Sequence, residues 1–318
     1  MMPFEEPEFS GKTAGRFAPS PSGRMHFGNI YACLISYLSA RKKNGEWILR
    51  IEDLDRQRCK KEYSEILIDD LKWFGFDWNR GPQKKDGNSY FQSNRSDVYE
   101  QYFNKLFDSG LIYDCFCTRS DLFSSSAPHN SDGIPVYLGN CRNLSEKQKS
   151  EFLEKKLPSK RIMTPDCEVS FLDRHYGSQK INLFRETGDF IVRRADGNFS
   201  YNFAVVVDDA LMGVTEVVRG RDLLSSTHQQ IYLYEKLGFK PPQYFHIPLI
   251  VNEQGKRLSK RDKDLDMGYF RKNCTSEEII GKIMFMCGFI EKEEKISLPE
   301  AVSLYDEKKL PAEDICKN

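Results

Sequence analysis

The sequence predicts an α/β fold with a mainly parallel sheet, and two observations lead to this prediction. Up to Gly75, short apolar segments that favour strands alternate with longer amphipathic segments that favour helices. The same alternation resumes after residue 189, with apolar segments at 190–192, 201–207 and 214–218. Strand and helix alternate in this way when crossover helices join parallel strands.

The elements of the first half follow from local composition. PSPSG at 19–23 can continue neither a strand nor a helix, so it separates two elements. The next segment has an apolar face at helical spacing, formed by Ile30, Leu34, Ile35 and Leu38. The predicted elements are strand 13–18, helix 26–43, strand 47–51 and helix 61–73.

The middle of the chain interrupts this pattern. Residues 99–187 contain one helix, a cysteine-containing turn and short mixed pieces, and the loop 124–133 is rich in Ser, Pro and Gly. We therefore predict a Rossmann-like domain split by an inserted subdomain, with a further helix at 276–287. The predicted boundaries are a flexible leader (1–12), the first half of the Rossmann-like domain (13–98), the insert (99–188), the second half (189–250) and a C-terminal helical region (251–318).

Composition and charge exclude several classes of protein. With 47 basic and 47 acidic residues the net charge is zero, which argues against binding of nucleic acid through overall charge alone. Apolar runs are too short for a membrane span, and the acidic N-terminus is unlike a signal peptide. We therefore expect a cytoplasmic protein without membrane contact, and a monomer. Nine cysteines in such a chain favour free thiols or a metal site over disulfides.

The first motif that indicates chemistry is RFAPSPSGRMHFGN at 16–29. A helix that begins near Gly28 would direct free backbone N–H groups toward the carboxyl edge of the sheet, where phosphate binds. His26 and Asn29 could donate hydrogen bonds to that phosphate, and Gly28 would allow an adenine ring to approach. Taken alone, the same pattern is more often a proline-rich loop with a capping histidine.

The second motif is GKRLSKR at 255–261. Cations around a small hydroxyl residue suit a polyphosphate, although such a run alone is more often a solvated loop. Together, the two motifs resemble the paired signatures of class I aminoacyl-tRNA synthetases, written HIGH and KMSKS. This resemblance implies an ATP site, with Mg²⁺ accompanying the nucleotide. The residues that it implies are Ser20, His26, Gly28, Asn29, Arg257, Leu258, Ser259 and Lys260, of which His26, Asn29 and Lys260 would be catalytic.

Several further blocks resemble the glutamyl-tRNA synthetases within that class. They are RFAPSPSG (16–23), RIEDLD (50–55), YNFAVVVDD (201–209), RGRD (219–222) and HIPLIVN (246–252). The resemblance implies a site for L-glutamate, formed by Arg16, Ala18, Ser20, Glu52, Tyr201 and Arg219. In such a site Arg16, Tyr201 and Arg219 would hold a carboxylate and Glu52 would pair with the ammonium group. Charge-assisted contacts of this kind disfavour the neutral amide of glutamine.

Three cysteines lie close together in the insert. Cys115, Cys117 and Cys141 fall within 27 residues of turn-rich sequence, which favours a zinc site. Zinc usually takes four ligands, and from the residues alone the fourth could be Tyr137 or His129. The spacing Cys-x-Cys followed by Tyr-x-x-x-Cys resembles the glutamyl-queuosine tRNA(Asp) synthetases, short paralogues of glutamyl-tRNA synthetase. That resemblance implies Tyr137 as the fourth ligand and one structural Zn²⁺.

The same resemblance implies a function. Such an enzyme forms glutamyl-adenylate from glutamate and ATP without tRNA, and then transfers glutamate to queuosine in the anticodon of tRNA(Asp). Only 55 residues follow Lys263, which leaves little room for an anticodon-binding region. Three alternatives remain open: a truncated glutamyl-tRNA synthetase that charges the 3′ end of tRNA(Glu), a small-molecule nucleotidyltransferase, and a non-catalytic RNA-binding paralogue.

Overall fold

The protein is represented by a computed structural model, which describes residues 11–84, 87–124, 135–252, 255 and 266–316. Its helices are α1 (Phe27–Lys42), α2 (Lys61–Trp73), α3 (Ser96–Asp108), α4 (Arg119–Ser124), α5 (Glu146–Leu153), α6 (Leu183–Glu186), α7 (Tyr201–Leu211), α8 (Leu224–Leu237), α9 (Met267–Asn273), α10 (Ser276–Met286) and α11 (Leu298–Leu304). Its strands are β1 (Ala14–Phe17), β2 (Glu46–Leu49), β3 (Ile112–Cys115), β4 (Ser159–Ile162), β5 (Glu168–Asp173), β6 (Gly177–Asn182), β7 (Phe190–Arg193), β8 (Glu216–Gly220), β9 (Gln243–Ile247), β10 (Ile250–Val251) and β11 (Ile315–Cys316).

The predicted parallel sheet is present. Six strands lie in the order β2-β1-β8-β9-β5-β6, and every neighbouring pair is parallel except the β5–β6 hairpin at the edge. The carboxyl ends of β1, β8 and β9 therefore meet at one edge of the sheet. Arg219 near the end of β8 is in register with His246 on β9. In sheets of this kind, ligands bind outside the carboxyl ends of the strands.

The middle of the chain contributes to two sheets. Strands β3, β4 and β7 form a separate antiparallel sheet, whereas the β5–β6 hairpin joins the large one. The predicted insert at 99–188 thus contains strands of both sheets, and β7 from the predicted second half of the Rossmann-like domain pairs with β4. The exact domain boundaries stay a prediction.

Helix α1 is more deeply buried than its predicted single apolar face requires. Besides Leu34 and its neighbours on that face, Tyr31, Cys33 and Ser39 are buried as well. The reason is that α1 packs on β1 and β8 while α11 packs on α1. Ser39 is satisfied in this environment because its hydroxyl donates to Glu216 at 2.7 Å. Burial of each large apolar side chain stabilises the fold by about 1.5–3 kcal/mol.

A second apolar cluster lies around α3, α7 and α8. Ser200 caps α7 by accepting a hydrogen bond from the Phe203 N–H, so the helix begins with Tyr201 at its first position. Phe203 and Val207 are fully buried in the cluster, which fixes the orientation of the helix. None of the described helices is long and apolar enough to span a membrane.

Candidate active site

A cavity of about 610 Å³ opens at the carboxyl edge of the large sheet. It is bordered by the segment that leads from β1 into α1, by the ends of β8 and β9, and by the start of α7. The predicted site residues that line it are Arg16, Ala18, Ser20, His26, Gly28, Asn29, Glu52, Tyr201 and Arg219. Every predicted nucleotide or glutamate residue that the structure describes therefore lies at one cavity.

Two buried arginines in the cavity wall each have a guanidinium N–H group that makes no hydrogen bond to a described residue. Arg16 and Arg219 are each 5% exposed. Arg16 donates to the Val218 carbonyl at 3.2 Å, and its Nε lies 3.6 Å from Asp209 Oδ1. Among the residues that the structure describes, Arg16 Nε and Arg219 Nη1 have no hydrogen-bond partner. Buried, unpaired donors of this kind are costly, so a ligand that accepts from them would be stabilised.

A carboxylate lies among these cations. Glu52 is buried and accepts a hydrogen bond at 3.0 Å from Arg50, which is itself fully buried. Arg50 also donates to Asp209 at 2.5 Å and lies 3.7 Å from Asp208. Burial raises the pKa of Glu52 above the usual value for a glutamate, while the charge and hydrogen bond of Arg50 limit that rise. The cavity thus offers both a cationic and an anionic contact.

Helix α1 begins at the wall of the same cavity. The His26 N–H donates to Asn29 Oδ1 at 3.2 Å, so the amide of Asn29 takes part in capping the helix. A Cβ at Gly28 would lie 3.2 Å from the His26 ring. The absence of a side chain at Gly28 therefore lets the buried imidazole of His26 lie close to the first turn of α1. The predicted approach of an adenine ring to Gly28 stays a prediction.

The basic motif itself lies outside the described residues, and so do the predicted residues Arg257, Leu258, Ser259 and Lys260. Both flanks of the motif are described. Ile250 lines the cavity on one side. On the other side, the Met267 N–H donates to the Met25 carbonyl at 3.0 Å. The backbone of Asp266 forms an isolated antiparallel β-bridge with that of His26. The chain therefore leaves and re-enters the described structure beside the cavity and the start of α1.

The predicted cysteine cluster also forms. The sulfur atoms of Cys115, Cys117 and Cys141 lie within 4.8 Å of one another. The Tyr137 hydroxyl lies 3.4 Å from Cys115 Sγ and 3.8 Å from Cys117 Sγ. Around a tetrahedral zinc ion, ligand atoms bonded at about 2.0–2.3 Å lie roughly 3.5–3.8 Å apart. The two Tyr137 contacts and the 3.6 Å between Cys117 Sγ and Cys141 Sγ are close to this spacing, whereas His129 lies outside the described residues.

The surroundings of Cys115 favour its thiolate, whereas burial raises the pKa of Cys117 and the hydrogen bond to Cys115 raises that of Cys141. Arg161 donates to Cys115 Sγ at 3.2 Å, and its guanidinium lies 4.0 Å from the centre of the Tyr137 ring. A hydrogen bond from Cys141 and the charge of Arg161 lower the pKa of the Cys115 thiol, against the opposing effect of burial. A thiolate is the form that binds a metal, so this cluster could hold one.

Some residues of the site were missed by sequence reasoning. Thr227 accepts a hydrogen bond from Arg219 at 2.7 Å, and His246 accepts one at 3.0 Å. Asp173 in turn accepts from His246 at 2.6 Å. His246 stood in a family-like block without a role, and Thr227 lies in no such block. Asp173 had no sequence signal because its contact with His246 spans 73 positions.

Comparison with known proteins is consistent with this geometry. The family model of class I tRNA synthetases (E and Q), catalytic domain, matches residues 12–309. A glutamyl-Q tRNA(Asp) synthetase from Symbiobacterium thermophilum is 41% identical over 307 residues, which cover 95% of this chain and 94% of that protein. A glutamate–tRNA ligase from Sulfurihydrogenibium sp. is 42% identical over 283 residues, which cover 88% of this chain but 59% of that protein.

Solved structures agree in fold. The crystal structure of a glutamate tRNA ligase from Elizabethkingia meningosepticum, in complex with its amino acid, matches with a TM-score of 0.81 and 27% identity. The match covers 96% of this chain and 67% of the other. The predicted α/β class and the predicted resemblance are therefore confirmed.

Proposed function

This chain belongs to the class I tRNA synthetases of the E and Q type, and from that membership we propose that it activates L-glutamate with ATP and transfers it to queuosine in tRNA(Asp). The observation that carries the proposal is that one cavity contains both a buried carboxylate and arginine N–H groups without hydrogen-bond partners among the described residues. Arg16 and Arg219 supply the donors, and Glu52 supplies the carboxylate. Glutamate carries the complementary groups, two carboxylates and one ammonium.

Glutamate binds with its side-chain carboxylate on Arg16, Arg219 and the hydroxyl of Tyr201. Its ammonium group pairs with Glu52, which Arg50 holds in place. Ala18 and Ser20 border the cavity between these contacts and the start of α1. A ligand without the second carboxylate would leave buried guanidinium groups unpaired, and so it would bind more weakly.

ATP binds against the start of α1, where His26, Gly28 and Asn29 line the cavity. The positive end of the helix dipole favours the phosphates there. Arg257, Leu258, Ser259 and Lys260 would complete the phosphate site. Ile250 before their segment lines the cavity, and Asp266 after it contacts His26 in the cavity wall. Mg²⁺ bound with the nucleotide would supply further positive charge.

The reaction has two steps. An α-carboxylate oxygen of glutamate attacks the α-phosphorus of ATP, the bond to pyrophosphate breaks, and glutamyl-adenylate forms. A hydroxyl of the cyclopentenediol ring of queuosine then attacks the activated carbonyl, AMP leaves, and the hydroxyl proton passes to solvent. The protein needs no covalent nucleophile, because positioning and stabilisation of phosphate charge by His26, Asn29 and Lys260 lower the barrier.

Cys115, Cys117, Tyr137 and Cys141 form a structural zinc site in this proposal. The contacts among their sulfur and oxygen atoms support all four as ligands. The ion would hold together the turn after β3 and the segment around Tyr137. We assign it no part in the chemical steps, because the cluster shares no residue with the cavity wall.

The names of relatives support queuosine as the acceptor. Proteins named glutamyl-Q tRNA(Asp) synthetase are 41–44% identical to this chain over 78–95% of its length. The test is transfer of labelled glutamate by the purified protein to tRNA(Glu), to queuosine-containing tRNA(Asp) and to tRNA(Asp) without queuosine. Label on the queuosine-containing RNA alone is expected. Label on tRNA(Glu) would instead establish a protein-synthesis enzyme, and label on none would contradict the transfer step.

A further inference from the structure

Arg219 is buried, yet its contacts with the residues that the structure describes carry no negative charge. Its Nε donates to His246 Nε2 at 3.0 Å and its Nη2 to the Thr227 hydroxyl at 2.7 Å. The guanidinium also lies 5.1 Å from the centre of the Tyr244 ring. In the described part of the chain, no carboxylate lies within ion-pair distance of Arg219. The other buried arginines of the site differ, since Arg16 has one such carboxylate and Arg50 has three.

The contacts of His246 define its tautomer. Its Nδ1 lies 2.6 Å from Asp173 Oδ2, and a carboxylate can only accept there. Its Nε2 faces Arg219 Nε, and a guanidinium can only donate. His246 is therefore the neutral imidazole with its proton on Nδ1. Burial lowers the pKa of His246 to about 4, with a further decrease from the charge of Arg219 and an opposing rise from Asp173.

Asp173 is fixed by the backbone on which it lies. One of its oxygens accepts from the N–H groups of His175 and Tyr176 at 3.0 and 2.9 Å, in the turn that joins β5 to β6. The other accepts from both the N–H and the ring of His246. All four donors are satisfied only by a carboxylate, because an amide would present an N–H₂ group to one of these pairs.

We propose that Asp173 and His246 are positioning residues, which orient Arg219 for the side-chain carboxylate of the amino-acid substrate. Asp173 fixes the His246 tautomer, and His246 accepts from Arg219 without neutralising it. An aspartate in direct contact with Arg219 would compete with the substrate carboxylate for the same cation. Because the imidazole of His246 lies between them, the carboxylate of Asp173 does not pair with Arg219. The Nη1 group and the positive charge of Arg219 therefore remain available to the substrate carboxylate.

This inference rests on the proposed function, and its test separates the two. In glutamate-dependent exchange of pyrophosphate into ATP, KM is measured separately for glutamate and for ATP. We expect His246→Leu to raise KM for glutamate by about 10- to 100-fold, the effect of losing a hydrogen bond to a charged group. KM for ATP should stay within about twofold, as for a site without shared contacts. His246→Gln, which keeps an acceptor for Arg219, should show a smaller rise.

A matched control is His228→Leu. His228 is another buried histidine, in edge contact with Phe171, and it does not line the cavity. It should leave KM for glutamate unchanged. Asp173→Asn provides a second variant if His246→Leu does not fold, and it should raise KM for glutamate in the same direction.

The outcomes are distinct. An unchanged KM for glutamate in both His246→Leu and Asp173→Asn would overturn the inference. So would equal increases in KM for glutamate and ATP, or an equal increase in the His228→Leu control, because these indicate a general structural effect. Absence of glutamate-dependent exchange in the wild-type protein would instead overturn the proposed function itself.

Discussion

The charged pocket, formed by Arg16, Glu52 and Arg219, differs from the cysteine cluster in how its polar groups are satisfied. In the cluster, the sulfur and phenol groups contact one another, and Cys117 and Cys141 are 24 positions apart. In the charged pocket, Arg16 reaches Val218 across 202 positions, and two guanidinium N–H groups have no hydrogen-bond partner among the described residues. The cluster is thus a locally assembled group that could hold a metal ion, whereas the pocket brings together charged groups from distant parts of the chain.

The largest expected effect is in the pocket. Arg219→Met should reduce kcat/KM for glutamate in pyrophosphate exchange by roughly 10²- to 10³-fold, because a buried charge–carboxylate contact is lost. KM for ATP should change little. Steady-state exchange kinetics with each substrate varied in turn measures both values. A loss shared equally by glutamate and ATP would show that the pocket is not specific for the amino acid.

A substitution in the cysteine cluster should change metal content and leave pyrophosphate exchange almost unchanged. Cys141→Ser should lower the zinc content of the purified protein, while pyrophosphate exchange stays within about twofold of wild type because the two sites share no residue. Metal analysis and exchange kinetics test this, with the exposed Cys167→Ser as the matched control. A tenfold or greater loss of exchange in Cys141→Ser alone would show that the two regions are coupled.

The pH dependence of glutamate binding should also distinguish the charged pocket from the cysteine cluster. Burial raises the pKa of Glu52, so this carboxyl takes up a proton at a higher pH than an ordinary glutamate. Its anion would pair with the substrate ammonium, so glutamate binding should be present above the pKa of Glu52 and be lost as the pH falls through it. KM for glutamate measured against pH should show this acidic limb. Glu52→Gln should bind more weakly at neutral pH and lack the limb, and a limb that persists would assign it to another group.

The smallest expected effect is on zinc retention and follows from the packing of Gly188 against the backbone of Tyr137. Gly188 has a φ of +67°, and a Cβ there would overlap the Tyr137 backbone carbonyl. Gly188→Ala should displace Tyr137 and speed the loss of zinc to a chelator, with little change in pyrophosphate exchange. Gly197→Ala is the control, since Gly197 also has a positive φ, +86°, but no atom near its missing Cβ. Equal rates of zinc loss in both variants would attribute the effect to backbone strain alone.

Several elements were predictable because their signals are local. The spacing of apolar residues predicted helix 61–73, and α2 has those bounds. The same spacing underestimated α1, which is buried beyond its predicted face because α11 also packs against it. The β5–β6 hairpin lies within the predicted insert and pairs with β9 of the large sheet, a long-range contact that no local pattern indicates.

The α/β alternation, the family-like blocks and the chemical types of the site residues could be read from the sequence, because these depend on local spacing and composition. The tertiary structure was needed to show that Asp173 holds His246 against Arg219, and that Arg50 links Glu52 to Asp209. Such contacts join strands and helices that are distant along the chain. They exist only when burial of the shared core brings those elements together, and no local pattern encodes their distances.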